Sequence, residues 1–343
     1  MDATGASATT ASRWPAWYRT TAQYQQPDLR KAIWQLVNTF LPYTALWVLL
    51  VWLLQNQVPY LLVFPLVVLA SGFLVRIFIF FHDCGHGSFF ASQRANKVLG
   101  YLCGFLTLTP YEQWRHSHAL HHASVGDLDR RGDGDVWTMT VEEYRNASPL
   151  KRFIYRFFRH PLVTFGIGPI LIFVVSERFP DKNARQKDKL SVHITNGAIA
   201  AALLAAYLTI GLRTLLVIFL PMMAIAASAG VWLFYVQHQF EDTYWAHGKA
   251  WEMSRAALEG SSYYQLPKVL QWFSGNIGFH HVHHVRARIP NYHLQRCHEQ
   301  TPELRSRTPL TIRESLKCMS LDLWDEEQKR LVSFRSLRDR PAG

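Results

Sequence analysis

Apolar residues in this chain come in long blocks separated by polar stretches. Residues 32–55 and 60–81 are each close to the length of about 20 residues that crosses a bilayer, and only four residues separate them. This pattern predicts two helices joined as a membrane hairpin. Residues 192–210 and 212–235 repeat the arrangement around Gly211. Helices of this length in a soluble protein carry a polar face, whereas these hold only isolated polar residues such as Arg76 and Thr209. Two shorter apolar runs, 98–108 and 162–175, fall below spanning length and read as re-entrant or interfacial segments.

Basic residues orient the hairpins. The two tight joints, 56–59 and 211–213, hold Arg213 as their one positive charge. The stretch from 116 to 189 carries Arg130, Arg131, Arg145, Lys151, Arg152, Arg156, Arg159, Arg178, Lys182, Arg185, Lys187 and Lys189. The positive-inside rule then puts both termini and this middle region in the cytoplasm, and in a bacterium the membrane is the cell (inner) membrane. The formal net charge of +11 follows from topology and from attraction to anionic headgroups. Nucleic acid is not an expected partner, because the basic residues flank apolar segments and do not decorate a nucleic-acid-binding fold.

The flanks differ from this middle. Residues 1–30 read as a polar tail with no apolar signal-peptide core, residues 31–303 as one membrane domain, and residues 304–343 as a charged C-terminal tail. The four cysteines show neither CxxC nor disulfide-framework spacing, which fits a reducing compartment.

Ten of the 16 histidines fall in three clusters: HDCGH with His82 and His86, HSHALHH with His116, His118, His121 and His122, and HHVHH with His280, His281, His283 and His284. His82 and His86 are spaced i, i+4. His118, His121 and His122, like His280, His283 and His284, are spaced i, i+3, i+4, so each set shares one helix face and aims its imidazoles one way. Burying so many rings without a metal would leave their nitrogens short of partners. Each cluster follows a return to the same side of the membrane, so the three can form one site. His238 lies at that boundary too, at the end of the fourth span. His160, His193, His247, His293 and His298 have no cluster partner and read as structural.

Ligand number narrows the metal. One zinc ion takes three or four ligands, whereas eight or nine imidazoles suffice for two ions with open positions, which suggests oxygen activation. Glu-x-x-His pairs of the soluble di-iron type are absent from the clusters. The nearby acids Asp83, Asp129, Asp133, Asp135, Glu241 and Asp242 are candidates to accept the second ring N–H of a ligand.

The segments HDCGHGSFF, HSHALHH and HHVHH, set between two apolar hairpins, resemble the three histidine boxes of the membrane fatty acid desaturases, most closely the delta-12/omega-6 type. The resemblance spans roughly residues 50–297. It implies an all-α integral membrane fold, with four transmembrane helices in two hairpins and a cytoplasmic helical cap holding a di-iron site. It also implies two iron ions, O2 as co-substrate, a fatty acyl or membrane lipid substrate, and electrons from a separate ferredoxin or b-type cytochrome. By the same resemblance the metal ligands are His82, His86, His118, His121, His122, His280, His283 and His284, with His238 as a further one. The chain departs from the pattern in its extra His116 and His281. Phe234 stands where some relatives place a water-bridging asparagine, and Asn276 is a candidate substitute. Hydroxylation, epoxidation and carotenoid ketolation are alternatives on the same scaffold, and a zinc-dependent membrane hydrolase is the alternative outside it.

Overall fold

The computed structural model describes residues 14–132 and 134–337. Among the described residues, four helices are long and apolar enough to cross a membrane: α1 (Leu29–Gln55), α2 (Tyr60–Gly85), α8 (Gln186–Leu208) and α9 (Leu212–His238). The order from α2 to α8 is α3 (Gln93–Leu106), α4 (Tyr111–Ser124), α5 (Val141–Asn146), α6 (Pro149–Arg159) and α7 (Val163–Arg178). After α9 come α10 (Met253–Glu259), α11 (Lys268–Phe273), α12 (His280–Val285), α13 (Asn291–Gln300), α14 (Pro302–Arg305) and α15 (Ile312–Cys318).

Local chemistry sets the ends of the spans. The Asp28 carboxylate accepts from the Arg30 and Lys31 amides and caps α1. Gly211, at φ +84°, makes the turn between α8 and α9 that a side chain would resist. Helix α2 is the pillar: Val63, Val67, Ala70, Leu74, Ile77 and Phe81 are buried at helical spacing and face α1, α3 and α9. The outer faces of the spans stay apolar and exposed, with Leu41, Val48, Trp52, Leu61, Leu204 and Leu208 among them. This is the surface a helix offers to lipid.

The described residues are mostly helical, and five short strands among them amend the all-α expectation. Strand β3 (Pro309–Thr311) runs parallel to β2 (Tyr263–Gln265). Strand β4 (Leu323–Asp325) lies between β1 (Met139–Thr140), parallel, and β5 (Arg330–Val332), antiparallel. Residues 304–337, expected as a charged tail, are thus stitched into the body through β3, β4 and β5, and Trp324 and Leu331 are buried. Strands of two or three residues are too short to carry a readable alternation. At the other end, Tyr24 and Thr21 are buried, and the Arg286 guanidinium stacks on Tyr18, so residues 14–28 pack as well. Of the two expected tails, residues 1–13 and 338–343 lie outside the described residues.

Gly278 shows how closely this region is packed. Its carbonyl accepts from the Tyr264 amide at 2.8 Å, and a Cβ there would lie 2.4 Å from the Tyr264 carbonyl oxygen. Because the obstacle is backbone, Gly278→Ala is expected to cost about 1–3 kcal/mol and lower the thermal midpoint of the purified protein. An unchanged midpoint would contradict this packing.

Candidate metal centre

Three helices and the end of a fourth bring the clusters together. His82 lies in the last turn of α2 and His86 caps it; His118, His121 and His122 project from α4; His238 ends α9; His280, His283 and His284 lie on α12. The nine rings sort into two groups able to hold one metal ion each. One is His82, His86, His118, His122 and His283; the other is His121, His238, His280 and His284. Within each, the ligand atoms lie within 4.8 Å of one another. The second group is fully buried, whereas His86, His118 and His122 of the first are half-buried.

The Nε2 atoms face each other at short range. His118 is 3.0 Å from His82, His122 is 3.1 Å from His118 and 3.0 Å from His283, and His238 is 3.2 Å from His121 and 3.0 Å from His280. Proton positions on two of the rings follow from their other sides. His238 Nδ1 is 3.1 Å from the Gly260 carbonyl oxygen, which can only accept, so this nitrogen carries the hydrogen. His121 Nδ1 is 2.6 Å from a carboxylate oxygen of Asp135 and is fixed likewise. In neutral rings both Nε2 atoms are then bare lone pairs, aimed at each other across 3.2 Å. That contact is repulsive unless a cation lies between them.

Two further observations fit a metal. His86 Nε2 and both ring nitrogens of His284 are buried with no hydrogen-bond partner. Burial also holds His86, His118, His122, His280, His283 and His284 well below the ordinary imidazole pKa, and neighbouring imidazoles push the same way. They remain neutral at physiological pH, the state a ligand requires. The donor set is nitrogen throughout, which suits iron, zinc, copper or nickel.

The surroundings orient the rings. Asp83 Oδ1 lies 3.3 Å from His82 Nδ1, while its Oδ2 accepts from the backbone and side-chain amides of Asn291 at 2.7 and 2.9 Å. Asn291 accepts in turn from Gln35 on α1. Trp114 stacks on His118 with centroids 4.3 Å apart, and Phe234 packs on His121 and His238. Among the acids expected to accept from ligand rings, Asp83 and Asp135 do so. Asp129 instead holds His247, Glu241 pairs with Arg330, Asp242 lines a surface cleft of about 350 Å³, and Asp133 lies outside the described residues.

The surplus histidines turn elsewhere. His116 bonds Asp188 at 3.0 Å and ties α4 to α8, and His281 bonds His298 at 3.1 Å. The Asn276 amide is engaged by Gln271 and by the Asn291 carbonyl, so it is committed to holding a left-handed turn at φ +60°. Reading along the sequence missed Asn291, the Gly260 carbonyl and Trp114. The first two are remote in sequence from the rings they support, and Trp114 differs in no local pattern from a core aromatic.

The family profile for fatty acid desaturase matches residues 58–315. A fatty acid desaturase of Bacillus subtilis is 47% identical over 93% of this chain and 90% of its own length. A Synechocystis sn-1 acyl-lipid omega-3 desaturase (ferredoxin) is 28% identical over 69% of this chain. An Arabidopsis thaliana sn-2 acyl-lipid omega-3 desaturase (ferredoxin), chloroplastic, is 28% identical over 80% of it. The alignment spans 66% of the length of each of these two. Their names give the omega-3 position, whereas the motifs resemble the delta-12/omega-6 type. The chain belongs to the fatty acid desaturase family and is a membrane protein and an oxidoreductase.

If the nine rings hold the metal, His121→Ala and His284→Ala are each expected to lower bound metal sharply and abolish activity. His116→Ala and His160→Ala should leave metal content near wild type. Asp135→Asn, which keeps the shape but weakens the hold on the His121 tautomer, is expected to cost about 10- to 100-fold in activity. Elemental analysis and turnover on the purified variants check all five, and equal losses across the set would contradict the assignment.

Proposed function

We propose that this desaturase introduces a double bond into a long acyl chain in the membrane. Two iron ions would be held by the nine histidines, and a separate protein, a ferredoxin or a b-type cytochrome, would deliver the electrons. The observation that carries the reading is the pair of convergent imidazole groups at the ends of α2 and α9, with Nε2 lone pairs opposed at about 3 Å. His82, His86, His118, His122 and His283 would hold one ion and His121, His238, His280 and His284 the other. Two relatives named as ferredoxin-dependent acyl-lipid desaturases support both the substrate class and a separate carrier.

In the overall reaction two hydrogens leave adjacent methylenes and a carbon–carbon double bond forms. Dioxygen takes up those two hydrogens with two electrons from the carrier and two protons, and leaves as two waters. Iron, when bound, supplies the oxidising centre at which dioxygen is activated. The chain's own part is positional. Asp135 and the Gly260 carbonyl keep the hydrogens of His121 and His238 on Nδ1, so Nε2 stays free to coordinate. Asp83, braced by Asn291, serves His82 in the same manner. Phe234 and Trp114 cover rings of both groups with apolar surface that keeps water away.

The histidine end of the bundle is assigned to the cytoplasmic side, because the basic stretch between α4 and α8 lies at that end. In a bacterial cell this would be the inner membrane.

Expression in a host with a defined acyl profile, followed by chain analysis, tests the reading. A new double bond that requires oxygen, and disappears with His284→Ala, is the expected result. A hydroxylated chain without a new double bond would overturn desaturation, and activity of a zinc-only protein without oxygen would overturn the redox chemistry altogether.

A further inference from the structure

Helix α6 is built inside out. Leu150, Phe153, Ile154 and Phe157, at i, i+3, i+4 and i+7, form one stripe, and 47–68% of each is exposed. The opposite stripe carries Tyr155 and Arg159, both buried. The Tyr155 hydroxyl donates to the Asp322 carbonyl and accepts from the Met139 amide at 3.1 Å. Arg159 donates to Tyr235 Oη at 2.9 Å, to Gln239 Oε1 at 3.1 Å, and to the Trp137 and Leu321 carbonyls. A helix in water would be turned the other way. This one spends Tyr155 and Arg159 on the protein and offers its apolar stripe outward.

The helix continues past Pro161 into α7 with a bend of 58°. Proline there cannot donate to a continuing helix, and it pushes the residue before it out of the helical region. Helix α7 also leaves apolar side chains exposed, Ile167, Leu171 and Val175 among them, while Phe165 packs on Trp232 and Tyr235 of α9. By length and composition the bent pair α6–α7 passes as one broken membrane span.

The metal centre excludes that reading. Between His121 and His238 the chain crosses the membrane through α8 and α9. A third crossing would leave the two histidines on opposite faces, yet their Nε2 atoms lie 3.2 Å apart. The number of crossings between them must be even. So α6 and α7 enter the apolar layer and leave it on the side they came from.

We propose that α6–α7 is a half-inserted wedge seated in the lipid leaflet beside the metal centre. Its occupant is the bilayer itself: acyl chains against the apolar stripe and anionic headgroups at the two ends. Charge placement supports this occupant, because Lys151 and Arg152 flank the start of the wedge and the exposed Lys182 follows its end. Continuity supports it as well, since the exposed face of α7 runs alongside α9, one of the four spans. Arg159 then couples the wedge to the site, as Tyr235 and Gln239 flank His238 in the chain. The depth of α6 in the leaflet thereby positions the end of α9, and with it one ligand of the buried metal group. The inference rests on the four long helices being the spans and on the His121–His238 contact, not on the reaction catalysed, so failure of the acyl-chain assay would leave it standing.

Single cysteines at surface positions test it in liposomes containing anionic lipid, since the four native cysteines are buried. In sealed vesicles, Arg145→Cys and Lys182→Cys are expected to react with a membrane-impermeant maleimide from the same side. Reaction from opposite sides would make the pair a span and overturn the proposal. A spin label at Phe157→Cys is expected to collide with oxygen and to be shielded from an aqueous nickel chelate, and a label at Lys151→Cys to show the reverse. Ready access of nickel to position 157 would place the stripe in water, and shielding from both reagents would mean a second protein copy covers it. Either result overturns the lipid assignment.

Discussion

Nine imidazoles packed with their ring nitrogens converging in two groups is the constraint on which this structure turns. The Nε2 atoms of His121 and His238, whose hydrogens are held on Nδ1, face each other at 3.2 Å and repel one another while the rings are neutral. A cation held in each group would turn such contacts into coordination. The sequence concentrates this arrangement where α2 and α9 end, with His82 in the last turn of one helix and His238 closing the other.

The remaining elements hold that arrangement in place. Helix α2 is packed on several sides and sets the position of the first cluster. Asn291 on α13 clasps Asp83, and Gln35 on α1 clasps Asn291, so hydrogen bonds link the first span, the second span and the histidine-rich end. The short strands bring the C-terminal segment around the same end: β3 pairs beside α12, and the loop before β4 offers the Leu321 carbonyl to Arg159. Few of these contacts are apolar burial alone. Within lipid the apolar surfaces give little reason to choose one neighbour over another, so directional bonds at the polar end carry much of the specificity.

Part of this was legible in the chain. The four long apolar helices showed because apolar residues, with few interruptions, run for the thickness of a bilayer, and the clusters showed because histidines at i, i+3 and i+4 share a helix face. The structure brings together the nine rings that the spacing and the family resemblance picked out, and it turns His116 and His281 away, since neighbouring residues on α4 and α12 point in different directions. What stayed hidden depended on contacts across the fold. Asp129 lies nearer a histidine cluster in sequence than Asp135 does, yet it serves His247 while Asp135 serves His121. The Gly260 carbonyl has no side chain to announce it. The C-terminal strands are too short for a period, and so they read as a tail.

Metal analysis of the purified protein, by elemental quantification with X-ray absorption at the iron edge, tests the central claim most directly. Two iron ions per chain are expected, each with a coordination sphere dominated by nitrogen at imidazole distances. Full turnover by protein stripped of iron, or a single zinc ion per active chain, would contradict it.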